Sequence, residues 1–431
     1  MDVLLKILKI IIKVLLPKKI SEYILVRSKK TKDILTSTKE LRLFFYFIFL
    51  PFDIIFSFFF ALCKVVLLWC IPITLYGHLK YIAKQFYNDI VFGNNLKFPV
   101  AVKRSLLLIE LFTKGAEKRV SYGDKNPYVT FYVLRPYYFL ERNELTQNVS
   151  NLLFHYYRNL QHLAYGVENG WIPVVDWENY GPFAHGEKFP IHGTRNCWEY
   201  YWKQPSKYTL QEVYQSKNVI LSVQNTRDNK FVPSAFFSKN LQKQAEDFAL
   251  RCPKYDKLIH LNEYTSSYIE NIQKRIFPEH SRILGVAIRG TSYGNPNNLT
   301  NVSGHPIQPD LITLIKNVEL LMNEWDMDYI FVTCELEEII DVLKNHFEDK
   351  VIFVPRLRYK KPPQRGDVEK GLDPLYVDGQ KYQTNLDYLT EMVLLSRCNS
   401  LAAAMSSGVR AAIIWNANQY EHMKIFENGL W

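Results

Sequence analysis

The chain has 431 residues, 48% of them apolar, which is enough for two ordinary domains with a large core. Its net charge of +10 favours acidic partners such as anionic lipid or a nucleotide. The sequence has no zinc knuckle, recognition-helix pattern or aromatic–basic sheet signature, so nucleic acid is not expected as a partner. The six cysteines lack metal-type spacing, which predicts free thiols in a reducing compartment.

The N-terminal region, residues 1–100, has the pattern of a membrane-associated helical region. Lysines recur on one face of an otherwise aliphatic helix over Val3–Leu16, which is typical of a helix lying in a membrane interface. Leu43–Tyr76 is almost wholly apolar and long enough to cross a bilayer. A buried hydrophobic helix is the alternative. Because lysines and arginines flank the run on both sides, a hairpin or in-plane anchor bent at Pro51 would leave the rest of the chain cytoplasmic.

Residues 101–278 have the composition of a soluble α/β domain. We predict helices from Glu144 to about Val167 and from Ala235 to Arg251. Short apolar runs predict strands at Trp171–Val175 and Asn218–Ser222. The domain boundary is expected where Pro278 interrupts the chain.

Residues 279–431 alternate between strand and helix patterns. Repeated βα units predict a parallel, doubly wound sheet, so the fold class is α/β with two such domains. The predicted strands are Ile283–Arg289, Tyr329–Thr333, Lys350–Pro355 and Ser400–Met405. The predicted helices are Pro309–Trp325, Glu337–Phe347, Asn385–Arg397 and one that begins at Ser406-Ser407-Gly408.

Arg289 follows an apolar strand and precedes Gly290, at the edge of an open α/β sheet where ligands bind. Its fork of donors matches phosphate oxygens, and glycine lets the backbone come close to a ligand. Ser406 or Ser407 would cap the helix after another strand, where free N–H groups could take a phosphate. The pattern suggests a nucleotide-diphosphate site. A structural ion pair for Arg289 and a simple cap for the serines are the alternatives.

Other chemistries lack their motifs in this sequence. The GxGxxG and Walker-type fingerprints, the GxSxG elbow and HExxH spacing are absent. Asp326-Met327-Asp328 resembles a metal-binding Asp-x-Asp motif, but it precedes a strand and so lies at the wrong edge of the sheet.

Three blocks in residues 150–431 resemble the GDP-fucose-dependent fucosyltransferases of the α1,6/α1,2/protein O-fucosyltransferase superfamily, and above all its bacterial α1,6-type members. The blocks are Ala287–Ser292, Thr333–Leu336 and Glu391–Ser396, the last followed by Ser406-Ser407. The resemblance implies two Rossmann-like domains of the GT-B type, with residues 101–278 on the acceptor side and residues 279–431 binding the nucleotide sugar.

Carried over position by position, the resemblance assigns Arg289 to the β-phosphate, Ser407 to a phosphate and Glu391 to the guanine edge. It also assigns Glu335 to the donor side. Further contacts to substrate are expected from Thr291, His305, Asp176 and Ser406. The family's second arginine, its aspartate and its guanine-contacting histidine are replaced by Gly290, Ser292 and Ala287; the basic loop from Arg356 to Lys361 could supply another cation.

The sequence therefore predicts a membrane-associated, inverting and metal-independent glycosyltransferase without a cofactor. Its donor would be a GDP-sugar, most simply GDP-fucose, and its acceptor a glycan or lipid-linked oligosaccharide in surface-polysaccharide synthesis. Stabilising the leaving diphosphate would be its main task, and Glu335 or Asp176 could deprotonate the acceptor. The alternative is a catalytically inactive scaffold or glycan-binding protein at the membrane.

Overall fold

The computed structural model describes residues 79–84, 86, 102, 105–106, 109, 113, 115–135, 151–180, 185–224, 227, 229–290, 305–361, 375 and 377–430. The chain groups into two compact units, Met1–Leu106 and Leu107–Trp431. Among the residues placed in the structure, no helix is both long and apolar enough to span a membrane. The two segments on which the anchor prediction rests, residues 3–16 and 43–76, lie outside the described part.

The first half of the larger unit is built on a four-stranded sheet. Its strands are β1 (Lys118–Val120), β2 (Lys125–Leu134), β3 (Ile172–Val175) and β4 (Ser216–Leu221), in the order β1-β4-β2-β3. Strands β2, β3 and β4 run parallel, while β1 pairs antiparallel with β4.

The second half is built on a five-stranded, fully parallel sheet. Its strands are β5 (Ile283–Ala287), β6 (Tyr329–Thr333), β7 (Val351–Ile352), β8 (Ser400–Ala403) and β9 (Met423–Ile425), in the order β7-β6-β5-β8-β9. The parallel βα alternation predicted for this region is confirmed.

Helices cover both sheets. In the first half they are α1 (Leu152–Glu168), α2 (Leu210–Val213), α3 (Leu241–Arg251), α4 (Pro253–Asp256) and α5 (Glu263–Ile276). In the second half they are α6 (Leu311–Glu324), α7 (Glu337–Phe347), α8 (Lys381–Ser396) and α9 (Ser407–Asn416).

The central strand β5 shows how the five-stranded sheet buries both faces. Leu284 and Val286 point into a core with α6 and α7, while Ile283 and Ala287 point into a second core. At Gly285 a Cβ atom would lie 2.6 Å from Leu395 Cδ1 of α8, so glycine lets α8 pack directly on the strand.

One large hydrophobic cluster joins the two halves. It contains Tyr132 of β2 and Leu401 of β8, both fully buried. Helix α9 packs against α8 of its own half and against α1, α3 and α4 of the other. The predicted boundary near residue 278 falls between α5 and β5, but the core continues across it.

Several predicted element bounds require correction. The helix predicted from Ala235 begins at Leu241, because Asn240 caps it through Lys243 N at 2.8 Å. The helix predicted from Pro309 begins at Leu311, because Asp310 caps it. The strand predicted over residues 350–355 is only Val351–Ile352. Strands β1, β2 and β9 and helices α2, α4 and α5 were not predicted.

Candidate functional site

Four strands of the parallel sheet end at one edge and carry the polar residues of the candidate site. Ala287, the last residue of β5, pairs with Thr333 of β6 and Ala403 of β8. The residues that follow these strands therefore lie next to one another, as expected at the carboxyl edge of an α/β sheet.

Arg289 follows β5 and is held by polar contacts on two sides. Its backbone N–H donates to Gln308 Oε1 at 2.9 Å. Its Nε lies 3.6 Å from Glu335 Oε1, and the two side chains are 29% and 24% exposed. Glu335 Oε2 also accepts from Gly290 N at 3.3 Å. The arginine is thus paired with a carboxylate but remains accessible from the solvent side.

Glu391, on α8, forms a buried cluster with two arginines from the segment after β7. Its Oε2 accepts from Arg356 Nη2 at 2.8 Å and its Oε1 from Arg358 Nη2 at 2.5 Å. The three side chains are 1%, 4% and 5% exposed. Both arginines also donate to the carbonyl of Cys334. Burial lowers the pKa of Arg358, while Glu391 opposes that shift.

The amino ends of two helices face the same site. Ser406 caps α9, its Oγ accepting from Val409 N at 3.2 Å. Asn151 caps α1 through Leu153 N, and its Nδ2 donates to Tyr388 Oη at 2.7 Å. The first N–H groups of a helix have no partner within it, and the helix dipole places partial positive charge there.

These groups enclose a small cavity of about 30 Å³. Its walls include Asn151, Arg289, Glu335, Arg356, Tyr388, Glu391 and Ser406. That is about the volume one water occupies in the liquid. The predicted residues Arg289, Glu335, Glu391 and Ser406 are therefore brought together around one cavity.

His305 lies on the segment before α6, and its ring packs edge-on against Phe237 at 5.7 Å between centroids. Burial, together with the positive charges of Arg289 and Arg410, lowers its pKa to about 4. The imidazole is therefore neutral at physiological pH and adds no charge to the site.

Asp176 lies away from this cavity, at the carboxyl edge of the other sheet. Its side chain is fully buried and accepts hydrogen bonds from Glu178 N, Asn179 N, Asn179 Nδ2 and Tyr214 Oη. This carboxylate holds a turn together, and its contact with an acceptor stays a prediction. Ser407 is half-buried in the first turn of α9 and does not line the cavity. Thr291 lies outside the described residues.

Four of the six cysteines lie among the described residues. Cys197, Cys252, Cys334 and Cys398 are buried free thiols, as predicted, while Cys63 and Cys70 fall outside the described part. Within the described ranges, no group of three or more His, Cys, Asp or Glu side chains is placed to hold a metal ion.

Sequence reasoning missed Asn151, Tyr388 and the individual role of Arg356 and Arg358. The two arginines alternate on an extended segment after a strand, which hints that they share one face. Asn151 carries a weaker signal, an N-cap residue before an apolar helix. Nothing local connects it to Tyr388, because the two lie 237 positions apart.

Comparison with known proteins gave matches only among solved structures. No protein-family model matches the chain, and no curated protein matches it significantly in sequence. A NodZ α-1,6-fucosyltransferase soaked with GDP-fucose is similar over 66% of this chain and 91% of its own, with 12% identity and a TM-score of 0.36. Fucosyltransferase NodZ from Bradyrhizobium matches over 66% and 92%, with 12% identity and a TM-score of 0.35.

POFUT1 in complex with GDP is also similar, over 59% of this chain and 64% of that one, with 11% identity and a TM-score of 0.28. The fucosyltransferases that the sequence motifs resemble are thus found again among the solved structures.

Proposed function

We propose that the chain is an inverting glycosyltransferase of the two-domain GT-B type that uses a GDP-sugar, with GDP-fucose as the leading donor. The acceptor would be a glycan or a lipid-linked oligosaccharide in surface-polysaccharide synthesis. The supporting observation is the convergence of Arg289, Arg356 and the amino ends of α1 and α9 on one pocket at the carboxyl edge of a parallel sheet. Such an arrangement suits a ligand that carries a diphosphate.

In the proposed reaction, the acceptor hydroxyl attacks the anomeric carbon and the bond from that carbon to the diphosphate breaks. The leaving diphosphate takes the electron pair, and negative charge grows on its oxygens. Arg289 and the first N–H groups of α9 would stabilise that charge without a metal or cofactor. The acceptor proton would pass to Glu335, which borders the pocket, whereas Asp176 is enclosed by four hydrogen-bond donors.

A donor nucleotide is larger than this cavity of about 30 Å³ and would extend beyond it. The contact between Asn151 and Tyr388, which joins α1 and α8, borders the cavity. For Glu391 to read guanine, at least one of its two arginine bonds would have to give way to the N1–H and amino group of the base.

A donor screen tests the proposal. Purified full-length protein in detergent is incubated with GDP-fucose, GDP-mannose, UDP-glucose and UDP-galactose, and release of free nucleotide is measured with and without glycan acceptors. We expect free nucleotide to be released only from the GDP-sugars and not from the UDP-sugars. Equal affinity of the protein for GDP and UDP would contradict the role proposed for Glu391.

The second candidate, a catalytically inactive scaffold or glycan-binding protein, is favoured by two observations. In the pocket, Arg289 is paired with Glu335, and Glu391 is paired with both Arg356 and Arg358. The family's second arginine is also replaced by Gly290. Nucleotide binding without turnover on any donor, or glycan binding without nucleotide binding, would favour this candidate.

Residues 1–100 are proposed to hold the protein at a membrane through lipid contacts, with the α/β part on the cytoplasmic side. The basis is the lysine-faced helix pattern of Val3–Leu16 and the apolar run Leu43–Tyr76. After lysis without detergent, the protein should sediment with membranes. Recovery of the full-length chain in the supernatant of high-speed centrifugation would contradict this proposal.

A further inference from the structure

Gly290 occupies a position that cannot carry a cationic side chain. A Cβ atom built there would lie 2.7 Å from Leu336 Cγ and 3.0 Å from Cys334 Sγ. Both neighbours are buried, at 5% and 3% exposure, and cannot turn out into solvent without disturbing the core. A second cation for a diphosphate therefore has to come from another strand end.

Arg356 stands next to this position. Its Nη2 lies 3.3 Å from the carbonyl oxygen of Cys334, the residue against which Gly290 packs. Its side chain is only 4% exposed and lines the same pocket as Arg289. Glu391 accepts from the same nitrogen at 2.8 Å, so the guanidinium is oriented rather than free to swing.

Charge at the pocket points in the same direction. Arg289 is balanced by Glu335, which leaves no net charge from that pair. Arg356 and Arg358 share the carboxylate of Glu391, and Asp387 of α8 also interacts electrostatically with Arg356 and Glu391. The amino ends of α1 and α9 add partial positive charge. Among the described residues, the segment after β7 thus supplies the cationic side chains on this side of the pocket.

We propose that Arg356 is the second diphosphate-binding cation of the site, held in position by Glu391 and Arg358. This inference rests on the proposed nucleotide-sugar function. In this inference Glu391 keeps both arginine bonds and positions Arg356 on the phosphate side, in place of a contact with guanine. The second cation then comes from the segment after β7 and not from position 290.

Calorimetric titration of the full-length protein in detergent with GDP, GMP and guanosine tests this assignment. The wild type is expected to prefer GDP to GMP. Arg356→Lys keeps the charge beside Glu391 but loses the fork, and it should weaken GDP binding roughly 10- to 100-fold while affecting GMP less. Guanosine should be bound equally by both proteins. Arg275→Ala, which removes an exposed arginine of α5, should leave all three affinities unchanged.

Arg356→Ala serves as a second variant, with its unfolding temperature measured in parallel because it leaves Glu391 with one arginine. Adding Gly290→Arg to this variant should not restore GDP binding, since the site has no room for the side chain. If Arg356→Lys folds as the wild type does and keeps its GDP-to-GMP preference, the assignment of Arg356 is wrong while the proposed function stands. If the wild type binds none of the three ligands, both fail.

Discussion

The two sheets present charged residues at the same kind of edge but use them differently. After β2 of the four-stranded sheet, the buried Arg135 donates from Nε to the carbonyl of Ser222 at 2.6 Å and from Nη2 to that of Ala116 at 2.8 Å. After β3, Asp176 accepts from backbone, amide and phenol donors among the described residues. The hydrogen bonds described for these two charged side chains are therefore all made with neutral groups.

At the edge of the five-stranded sheet, charged side chains are paired with each other in addition to their bonds to backbone groups. Arg289 faces Glu335, and Arg356 and Arg358 face Glu391. An anionic ligand can take the place of the carboxylate beside an arginine in such a pair. A charged side chain whose hydrogen-bond partners are all neutral has no charged partner that an anion could replace. The two carboxyl edges thus differ in the partners of their charged residues, and this difference supports the proposed site at the five-stranded sheet.

The largest effect is expected from replacing Asp176, the buried carboxylate at the edge of the four-stranded sheet. Asp176→Ala leaves several buried donors without an acceptor and should lower the free energy of unfolding by about 3–5 kcal/mol. Nucleotide affinity per folded molecule should not change. Urea unfolding followed by fluorescence measures the first quantity and calorimetry the second.

Asp341→Ala on α7, where the aspartate is exposed, is the matched control and should alter stability by less than about 0.5 kcal/mol. A stable Asp176→Ala protein with weakened nucleotide binding would show that the edge of the four-stranded sheet also takes part in nucleotide binding, contrary to this comparison.

A smaller effect, on binding rather than on stability, is expected at Arg289. Both Arg289→Lys and Arg289→Ala should weaken GDP binding by about 2–3 kcal/mol, because lysine keeps the charge but loses the paired donors. Unfolding should change little, since the pair with Glu335 is partly exposed. If both variants instead lose stability and bind GDP like the wild type, Arg289 forms a structural ion pair only.

The smallest effect concerns pH and His305. Its folded-state pKa of about 4, lowered by burial and by Arg289 and Arg410, lies below the ordinary value of 6.5. Above pH 6.5, His305 is mostly neutral in both the folded and the unfolded chain, so its burial does not lower the free energy of unfolding. As pH falls towards 4, the unfolded chain takes up a proton that the folded chain does not, and stability is lost.

Between pH 6.5 and pH 4, the free energy of unfolding of His305→Gln should therefore fall by about 1–3 kcal/mol less than that of the wild type. Urea unfolding at both pH values measures this difference. His260→Gln, at an exposed histidine, should follow the wild type. Identical pH profiles for His305→Gln and the wild type would mean that His305 is as accessible to protons in the folded protein as in the unfolded one.

Short-range pattern predicted the second half of the fold well. Strand Tyr329–Thr333 and helix Glu337–Phe347 begin and end where expected, because both follow from local hydrophobic periodicity. In the first half, the helix Leu152–Glu168 and the strands Ile172–Val175 and Ser216–Leu221 were also predicted, with shifted bounds, but β1 and β2 were missed. Strand β2, residues Lys125–Leu134, starts with exposed polar residues, so its ten-residue length depends on pairing with two neighbours.

The sequence by itself determined which residue types end the parallel strands: an arginine after β5, a glutamate after β6 and a serine cap after β8. These follow from chain-local rules of burial, turns and capping. Only the tertiary structure decided their partners. The pairing of Glu391 with Arg356 and Arg358, the enclosure of Asp176 and the lack of space at Gly290 depend on side chains far apart in the chain. Such contacts are set by how helices pack on the sheets, which local periodicity does not specify.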